Sequence, residues 1–276
     1  MVTLNLFHGG PYGSWNGETH DLETRLTMVA DELRALAPDV VALQEASRGR
    51  RRGVVAERLA ATLGLHHVFE PATTRLSPLY FLNRLVVAVL DFAEGPAVLS
   101  RFPIVGSEVD ELPRCRHRLA PRIVLRADVA TPWGALAVFS THTSADACQL
   151  RRVGEIVRAH ATAGPVLLGA DLNVTEHHET MTAINGPGGL VDAFRAAHPE
   201  ASGATVYQRP GAAVATVSRR VDYIFLGGVE DGRRAVCGSR VVLDRPRREA
   251  DGRTIWPSDH YGVLADVALF GIQCAP

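Results

Sequence analysis

A chain of 276 residues, 46% of them apolar and with a mean hydropathy of +0.04, is long for one domain. It still lies within reach of a large two-layer fold built as a single unit over residues 1–276, with enough apolar side chains for a sizeable core. A formal net charge of −1 excludes the broad cationic footprint of a protein that coats bulk nucleic acid, although every one of the 29 basic residues is an arginine.

Residues 2–7 read as a strand. Over 22–37 the apolar positions Leu22, Leu26, Val29, Leu33 and Leu36 share one helical face, and Pro38 stops the helix. A buried strand follows at 40–43, then a helix at 54–63 that Gly64 ends. The apolar runs 79–90, 97–99, 104–112 and 123–129 are of strand type, and 135–141 is a strand entered through the turn Pro132-Trp133-Gly134. A long helix over 147–163 is closed by Gly164. Beyond it 166–169 is a strand, 190–197 a short helix, and 221–226, 236–243 and 261–269 are strands. Strands dominate, and several helices are long enough to cover a sheet face. Two packed sheets with helices outside suit this pattern better than an alternating βαβ series. No repeat, low-complexity block or linker divides the chain.

The cysteines at 115, 148, 237 and 274 make no CxxC pair, which argues against structural zinc. No run approaches the ~20 apolar residues of a membrane-spanning helix. The opening MVTLNLF lacks the basic and apolar regions of an export signal. The expectation is a soluble cytoplasmic protein whose thiols are reduced and mostly buried.

Chemistry concentrates where the apolar runs stop. Asn5 and His8 lie near the end of the first strand, Glu45 follows PDVVALQ, and His142 ends VFSTH. Asp171 and Asn173 follow PVLLGA, Asp222 sits inside RVDYIF, and Asp259 and His260 precede the last strand in WPSDHYGV. Carboxylate and amide oxygens suit a hard cation, and Mg²⁺ takes one or two carboxylates together with water and substrate phosphate. Histidines donate to charge developing on a phosphoryl oxygen. An aspartate that accepts an imidazole's second N–H orients it, which makes Asp222 the candidate partner of His260. Each residue alone has an ordinary structural reading: Glu45 a helix cap, His142 a core histidine, Asp171 with Asn173 an Asx turn. Their recurrence at the ends of successive apolar runs points to one site.

Arg48, Arg50, Arg51 and Arg52 follow Glu45, while Arg245, Arg247, Arg248 and Arg253 precede Asp259. If the strands end at one edge, both segments rim the same mouth, and guanidinium forks bind phosphate. His8, Arg48 and Arg51 are the candidate substrate contacts. The near-neutral charge argues against long duplex DNA, whose binding rests on neutralisation of phosphates by many cations. A short or single-stranded nucleic acid, or a small phosphoester, stays open. Residues 79–82 are the best candidate for a lipid-facing patch, but they read more simply as a buried strand.

Asn5, PDVVALQE, LSRFPI, THT, GADLN, RVDYIF and SDHYGV, in this order and over residues 2–269, resemble the endonuclease/exonuclease/phosphatase superfamily. NLFHGG and HDLETRLTMVADELRALAPDVVALQE are most similar to its small bacterial metal-dependent hydrolases. The resemblance implies an α+β fold, a four-layer α/β/β/α sandwich of two mixed, mostly antiparallel sheets packed face to face. It implies hydrolysis of phosphoester bonds by in-line attack of an activated water, with Mg²⁺ as cofactor and Mn²⁺ as a substitute. Asn5, Glu45 and Asp259 would hold the metal, directly or through water. Asp171 would orient or deprotonate the water, Asn173 would hold a phosphate oxygen, and His142 would stabilise the transition state or assist the leaving group. His260, paired with Asp222, would act as base or bond the phosphate. Which of Asp171 and His260 takes the proton is left open, as is the number of metal ions.

A nuclease or other phosphodiesterase is the leading activity that the resemblance implies. A phosphatase or phospholipase C-type enzyme acting on a phospholipid, inositol phosphate or phosphorylated metabolite is the alternative. A silent scaffold of the same fold is disfavoured because every ligand and histidine position is filled. The usual Gly-Asp-Phe-Asn reads Gly169-Ala170-Asp171-Leu172-Asn173 here. The family's group that supports the first histidine has Glu94 or Asp91 as its nearest counterpart.

Overall fold

Apolar side chains alternate along the strands in two sets, and each set has its own packing partner. The computed structural model describes residues 1–7, 21–50, 52–75, 85, 89, 91–115 and 121–274. In chain order the elements are β1 (Val2–Asn5), α1 (Leu22–Leu36), β2 (Val40–Gly49), β3 (Gly53–Val54), α2 (Val55–Leu63), β4 (His66–Phe69) and β5 (Ala93–Ser100). There follow β6 (Ile104–Glu111), β7 (Ile123–Thr131), β8 (Gly134–His142), α3 (Ala147–Ala161), β9 (Val166–Asp171) and α4 (Thr182–Asn185). The last are β10 (Val191–Asp192), α5 (Ala193–Ala197), β11 (Asp222–Gly227), β12 (Val236–Val242), β13 (Arg247–Arg248), β14 (Thr254–Ile255) and β15 (Gly262–Val267).

One sheet has the order β12-β15-β1-β2-β5-β4, with β3 also paired to β2, and the other has the order β10-β11-β9-β8-β7-β6. Val2, Leu4, Val41, Leu43 and Leu99 pack outward on Leu26, Val29 and Leu33 of α1 and Leu59 of α2. In the second sheet Phe139, Leu168, Tyr223 and Phe225 pack outward on Leu150, Val153 and Val157 of α3. The opposite faces meet each other through Ala42, Val98, Leu125, Val138, Leu167, Ile224 and Val263. Helix, sheet, sheet and helix are therefore the four layers, as the resemblance implied.

Each sheet carries a parallel pair, β1 with β2 and β8 with β9; the other pairings are antiparallel. Parallel neighbours need a crossover, and α1 and α3 supply it. α1 ends at Ala37, in the left-handed region at φ +46°, whose N–H bonds Leu33 O at 2.9 Å; Pro38 then bars continuation. The sheets approach closely at Gly169, where a Cβ would sit 2.5 Å from Ala42 Cβ and 2.8 Å from Thr3 Oγ1. Beside it the buried Gln44 amide bridges the sheets, donating to Thr3 Oγ1 at 3.1 Å and to Ser140 Oγ at 3.2 Å.

The structure departs from the expected elements in four places. The strand expected to end at 43 continues to Gly49 through a bulge. The helix expected over 190–197 begins as the strand β10, and only Ala193–Ala197 is helical. Of 79–90, only Leu85 and Val89 are described, and both are helical rather than extended. The fourth correction concerns the cysteines, which are not reduced and buried but paired as Cys115–Cys148 and Cys237–Cys274, with Cα–Cα distances of 6.7 and 5.2 Å. Partners separated by 33 and 37 residues leave no local spacing signal to read. Among the described residues, no helix is long and apolar enough to cross a membrane.

Candidate active site

The alternation that builds the layer between the sheets also builds the site. Asn5 continues the face of Thr3, His142 that of Val138 and Ser140, Asp171 that of Leu167 and Gly169, and Asp222 that of Ile224. At one end of the apolar layer the same face thus turns polar. The parallel register sets Asn5 beside Gln44 and His142 beside Asp171, and the β9–β11 register sets Asp171 opposite Asp222.

Glu45 would point toward the helices if β2 were regular. Between the pairs Leu43–Ala97 and Ala46–Gly95, however, two residues of β2 face Pro96 alone, and Glu45 adopts φ +51°. Pro96 has no N–H for the ladder, so the bulge falls where pairing is already broken, and it re-aims the Glu45 carboxylate. Asp259 and His260 arrive on the loop before β15. Ser258 Oγ donates to Asn5 O at 2.6 Å, and His260 N–H bonds Ser258 Oγ at 3.2 Å.

The contacts converge on Asp171, only 1% exposed. Its Oδ2 accepts from Asn5 Nδ2 at 3.0 Å and its Oδ1 from the Asn173 N–H at 3.0 Å. The Asx turn that offered an ordinary reading of Asp171 and Asn173 is present, and it aims both side chains. His142 Nε2 lies 3.4 Å and His260 Nδ1 3.9 Å from Asp171 Oδ2. His260 Nδ1 meets Asp222 Oδ2 at 3.0 Å and Oδ1 at 3.2 Å. His142 Nδ1 lies 3.7 Å from Glu45 Oε1, so the two sheets contribute to one cluster.

Burial and mutual charge shape the protonation here. Burial raises the Asp171 carboxyl well above the usual range, the Asp222 charge adds to this, and His260 and the Asn5 hydrogen bond oppose it. Burial pulls the His260 imidazolium down, but Asp222 and Asp171 outweigh it and push the group up to about 10. Burial also raises the Asp259 carboxyl, with His260 opposing and the nearby Glu45 charge adding. Glu45 and Asp259 are thus like charges held near each other, a set that a divalent cation would neutralise. Together with the Asn5 amide oxygen they could supply oxygen donors of the kind that suits a hard divalent cation. Asp171, Asp222 and His260 also bring one ligand atom each within 4.8 Å of one another, but His260 Nδ1 is already engaged with Asp222.

The substrate candidates fare differently. His8 and Arg51 lie outside the described residues. Arg48 lines a depression of about 550 Å³ with Arg50, Glu57, Asp91 and Phe92, apart from the cluster above. Glu94 lines one depression together with Glu45, Arg122 and His142, while Asp91 lines the depression of Arg48; Arg122 Nη1 lies 2.9 Å from His142 Nδ1. Arg122 also donates from Nε to Ser144 Oγ at 3.2 Å. Sequence reasoning missed Arg122, which stands just before an apolar strand in the position Asn and Glu occupy after theirs. It also missed Arg25, a charged residue on the apolar stripe of α1, and Tyr207. The Tyr207 ring stands edge-on to His260 at 5.8 Å, with the Arg219 guanidinium 5.3 Å over its face.

A sequence profile of the Endonuclease/Exonuclease/phosphatase family matches residues 2–260. No curated protein matches the chain. Among solved structures, the chain is similar to a mannosyl-6-phosphatase of Bacteroides thetaiotaomicron, at 17% identity and TM-score 0.70 over 97% of this chain and 98% of that one. It is also similar to an endonuclease/exonuclease/phosphatase of Beutenbergia cavernae, at 26% identity and TM-score 0.64 over 99% of this chain and 72% of that one. A truncated TDP2 of Caenorhabditis elegans is similar at 17% identity and TM-score 0.62, over 95% and 94% of the two chains.

Proposed function

Because the chain belongs to the endonuclease/exonuclease/phosphatase family, we propose that it hydrolyses phosphoester bonds with a divalent cation, Mg²⁺ or Mn²⁺, held by Asn5, Glu45 and Asp259. The observation that carries this reading is the gathering of carboxylates and imidazoles from both sheets around the buried Asp171. When bound, the cation supplies positive charge to a phosphoryl oxygen and to the attacking water.

The protein's own groups divide the proton work. Asp171, with its carboxyl raised by burial yet still below the His260 imidazolium, is the candidate that stands deprotonated first as pH rises, and it takes the proton of the attacking water. His260 stays an imidazolium, held at Nδ1 by Asp222, and donates from Nε2 to a phosphoryl oxygen. Around His142 the site is rich in donors. Arg122 Nη1 faces one ring nitrogen and Asn173 Nδ2 the other at 2.8 Å, while a neutral imidazole accepts at one nitrogen only. A phosphoryl oxygen entering beside His142 would accept from the donor left over.

The surroundings favour a small phosphodiester over a long nucleic acid. Arg247 pairs with Glu249, Arg253 with Asp251 and Asp21, and Arg50 with Asp91. Guanidinium groups already neutralised locally add little to polyanion binding. A second reading, a phosphatase acting on a phosphorylated sugar, is favoured by the likeness to the mannosyl-6-phosphatase. Two disulfides favour an oxidising compartment over the cytoplasm expected from the sequence.

The test is a hydrolysis panel with Mg²⁺, Mn²⁺ or EDTA: bis-p-nitrophenyl phosphate, p-nitrophenyl phosphate, mannose 6-phosphate, single-stranded DNA, RNA, plasmid and sphingomyelin. Metal-dependent cleavage of the small diester, with nucleic acids intact, is expected. Monoester cleavage alone would favour the second reading. No EDTA-sensitive hydrolysis of any substrate would overturn both.

A further inference from the structure

Arg25 is a full cation with no part in the chemistry above, yet it is only 4% exposed. It lies on α1 among Leu22, Leu26 and Val29, where a fourth apolar residue would continue the stripe. Burial draws its guanidinium down to about 10, against Asp259, Asp21 and Glu45. A buried charge needs partners, and backbone oxygens are among those of Arg25. Nη1 donates to Leu6 O at 2.9 Å and more weakly to Pro257 O at 3.5 Å, and Nη2 donates to Phe7 O at 2.8 Å. The same guanidinium stands 5.1 Å over the Phe7 ring.

These acceptors belong to the two segments that leave the sheet edge with Asn5 and with Asp259. Phe7 holds φ +48°, a left-handed conformation that a bulky residue keeps only when its surroundings impose it. Its N–H bonds Asn5 Oδ1 at 3.0 Å, so the turn that Arg25 grips from the carbonyl side also fixes the Asn5 amide. Ser258 Oγ, donating to Asn5 O at 2.6 Å, ties the same two segments from the other side.

We infer that Arg25 is a positioning residue for the cation site: one planar fork, anchored on α1, sets the spacing between the Asn5 turn and the Asp259 loop. The inference rests on the metal site proposed above. A compact ammonium cannot span carbonyls on two segments as a guanidinium does. The fork geometry, and not the charge alone, is therefore what the site needs. Charge alone would act the other way, since a fixed cation near Glu45 and Asp259 repels Mg²⁺.

The experiment is Mg²⁺ titration by calorimetry, with thermal melting of each protein in EDTA. The proteins are wild type, Arg25→Lys, Arg25→Gln, Ser258→Ala, Glu45→Gln and Leu33→Ala, the last a core change on the same helix. Loss of groups that orient metal ligands weakens binding roughly 10- to 100-fold. Arg25→Lys and Arg25→Gln are expected to weaken Mg²⁺ at least tenfold, and Ser258→Ala in the same direction, while Leu33→Ala melts earlier but binds normally. Ser258→Ala buries no charge, so it reads the tie between the segments even if an Arg25 variant fails to fold. Wild-type affinity in Arg25→Lys with tighter binding in Arg25→Gln would show that only charge matters, and overturns the inference. So does weakening in Leu33→Ala equal to that of the Arg25 variants, or an unchanged Ser258→Ala. Wild type that takes up no Mg²⁺, or binding unaffected by Glu45→Gln, overturns the metal site itself and the clamp with it.

Discussion

Asp222→Asn removes a charge from a fully buried pair without changing its shape, and its effect on the metal-free protein follows from His260. The imidazolium is raised from an ordinary 6.5 to about 10, by Asp222 first and Asp171 second, against the pull of burial. At about 1.4 kcal/mol per pH unit, that span is worth about 5 kcal/mol of folding stability. The group's folded value lies above its unfolded one. Its contribution is therefore complete below pH 6.5, declines as pH rises, and is gone above about 10. In EDTA, denaturation of wild type at a series of pH values should show stability falling across this window. In Asp222→Asn, burial acts with Asp171 as the main opposing charge, so His260 loses its proton at markedly lower pH and the fall between 7 and 10 shrinks by about half or more. Proton NMR of the His260 ring in both proteins reads the same change directly. An imidazole that titrates near 6.5 in both, or identical stability profiles, would refute this electrostatic reasoning.

Glu45→Gln should keep the fold but reduce turnover of the small diester below detection, and saturating Mg²⁺ should not restore it; recovery would exclude Glu45 as a ligand. Gly169→Ala places a methyl 2.5 Å from Ala42 Cβ, and such overpacking costs about 1–3 kcal/mol, measured by urea denaturation; unchanged stability would mean the sheets part there freely. All four cysteines should resist alkylation in the unfolded, unreduced protein, and reduction should lower stability by roughly 4 kcal/mol per bridge at most; free thiols by mass spectrometry would contradict the pairing. His260→Ala and Asp222→Ala should lower kcat non-additively, because the two act as one unit; additive losses in the double variant would argue against their pairing.

What could be read from the sequence was what period and position record. The stripe from Leu22 to Leu36 gave α1 to within a residue, and the polar ends of the strands gave the positions that alternation carries to one edge. Features of spatial convergence were not readable. The bulge that turns Glu45 depends on Pro96 across the sheet, and nothing near Glu45 in sequence announces it. Cys115 meets Cys148 only because α3 packs back beside the segment after β6. Arg122 reaches His142 across the β7–β8 pairing, where the sequence offered only acidic neighbours. Arg25 was legible in principle, since a charge within a buried stripe needs an explanation, but its carbonyl partners lie on segments far along the chain. Within the Arg-rich runs, Arg247 and Arg253 pair with carboxylates two residues away, which their sequence neighbours Glu249 and Asp251 already announce.

Anomalous diffraction from crystals soaked in Mn²⁺ addresses the account at its root. A manganese peak within bonding distance of a Glu45 oxygen, with Asn5 and Asp259 around it and absent from Glu45→Gln crystals, is the predicted result. Manganese bound only elsewhere on the protein, or not at all at millimolar concentration, would contradict it.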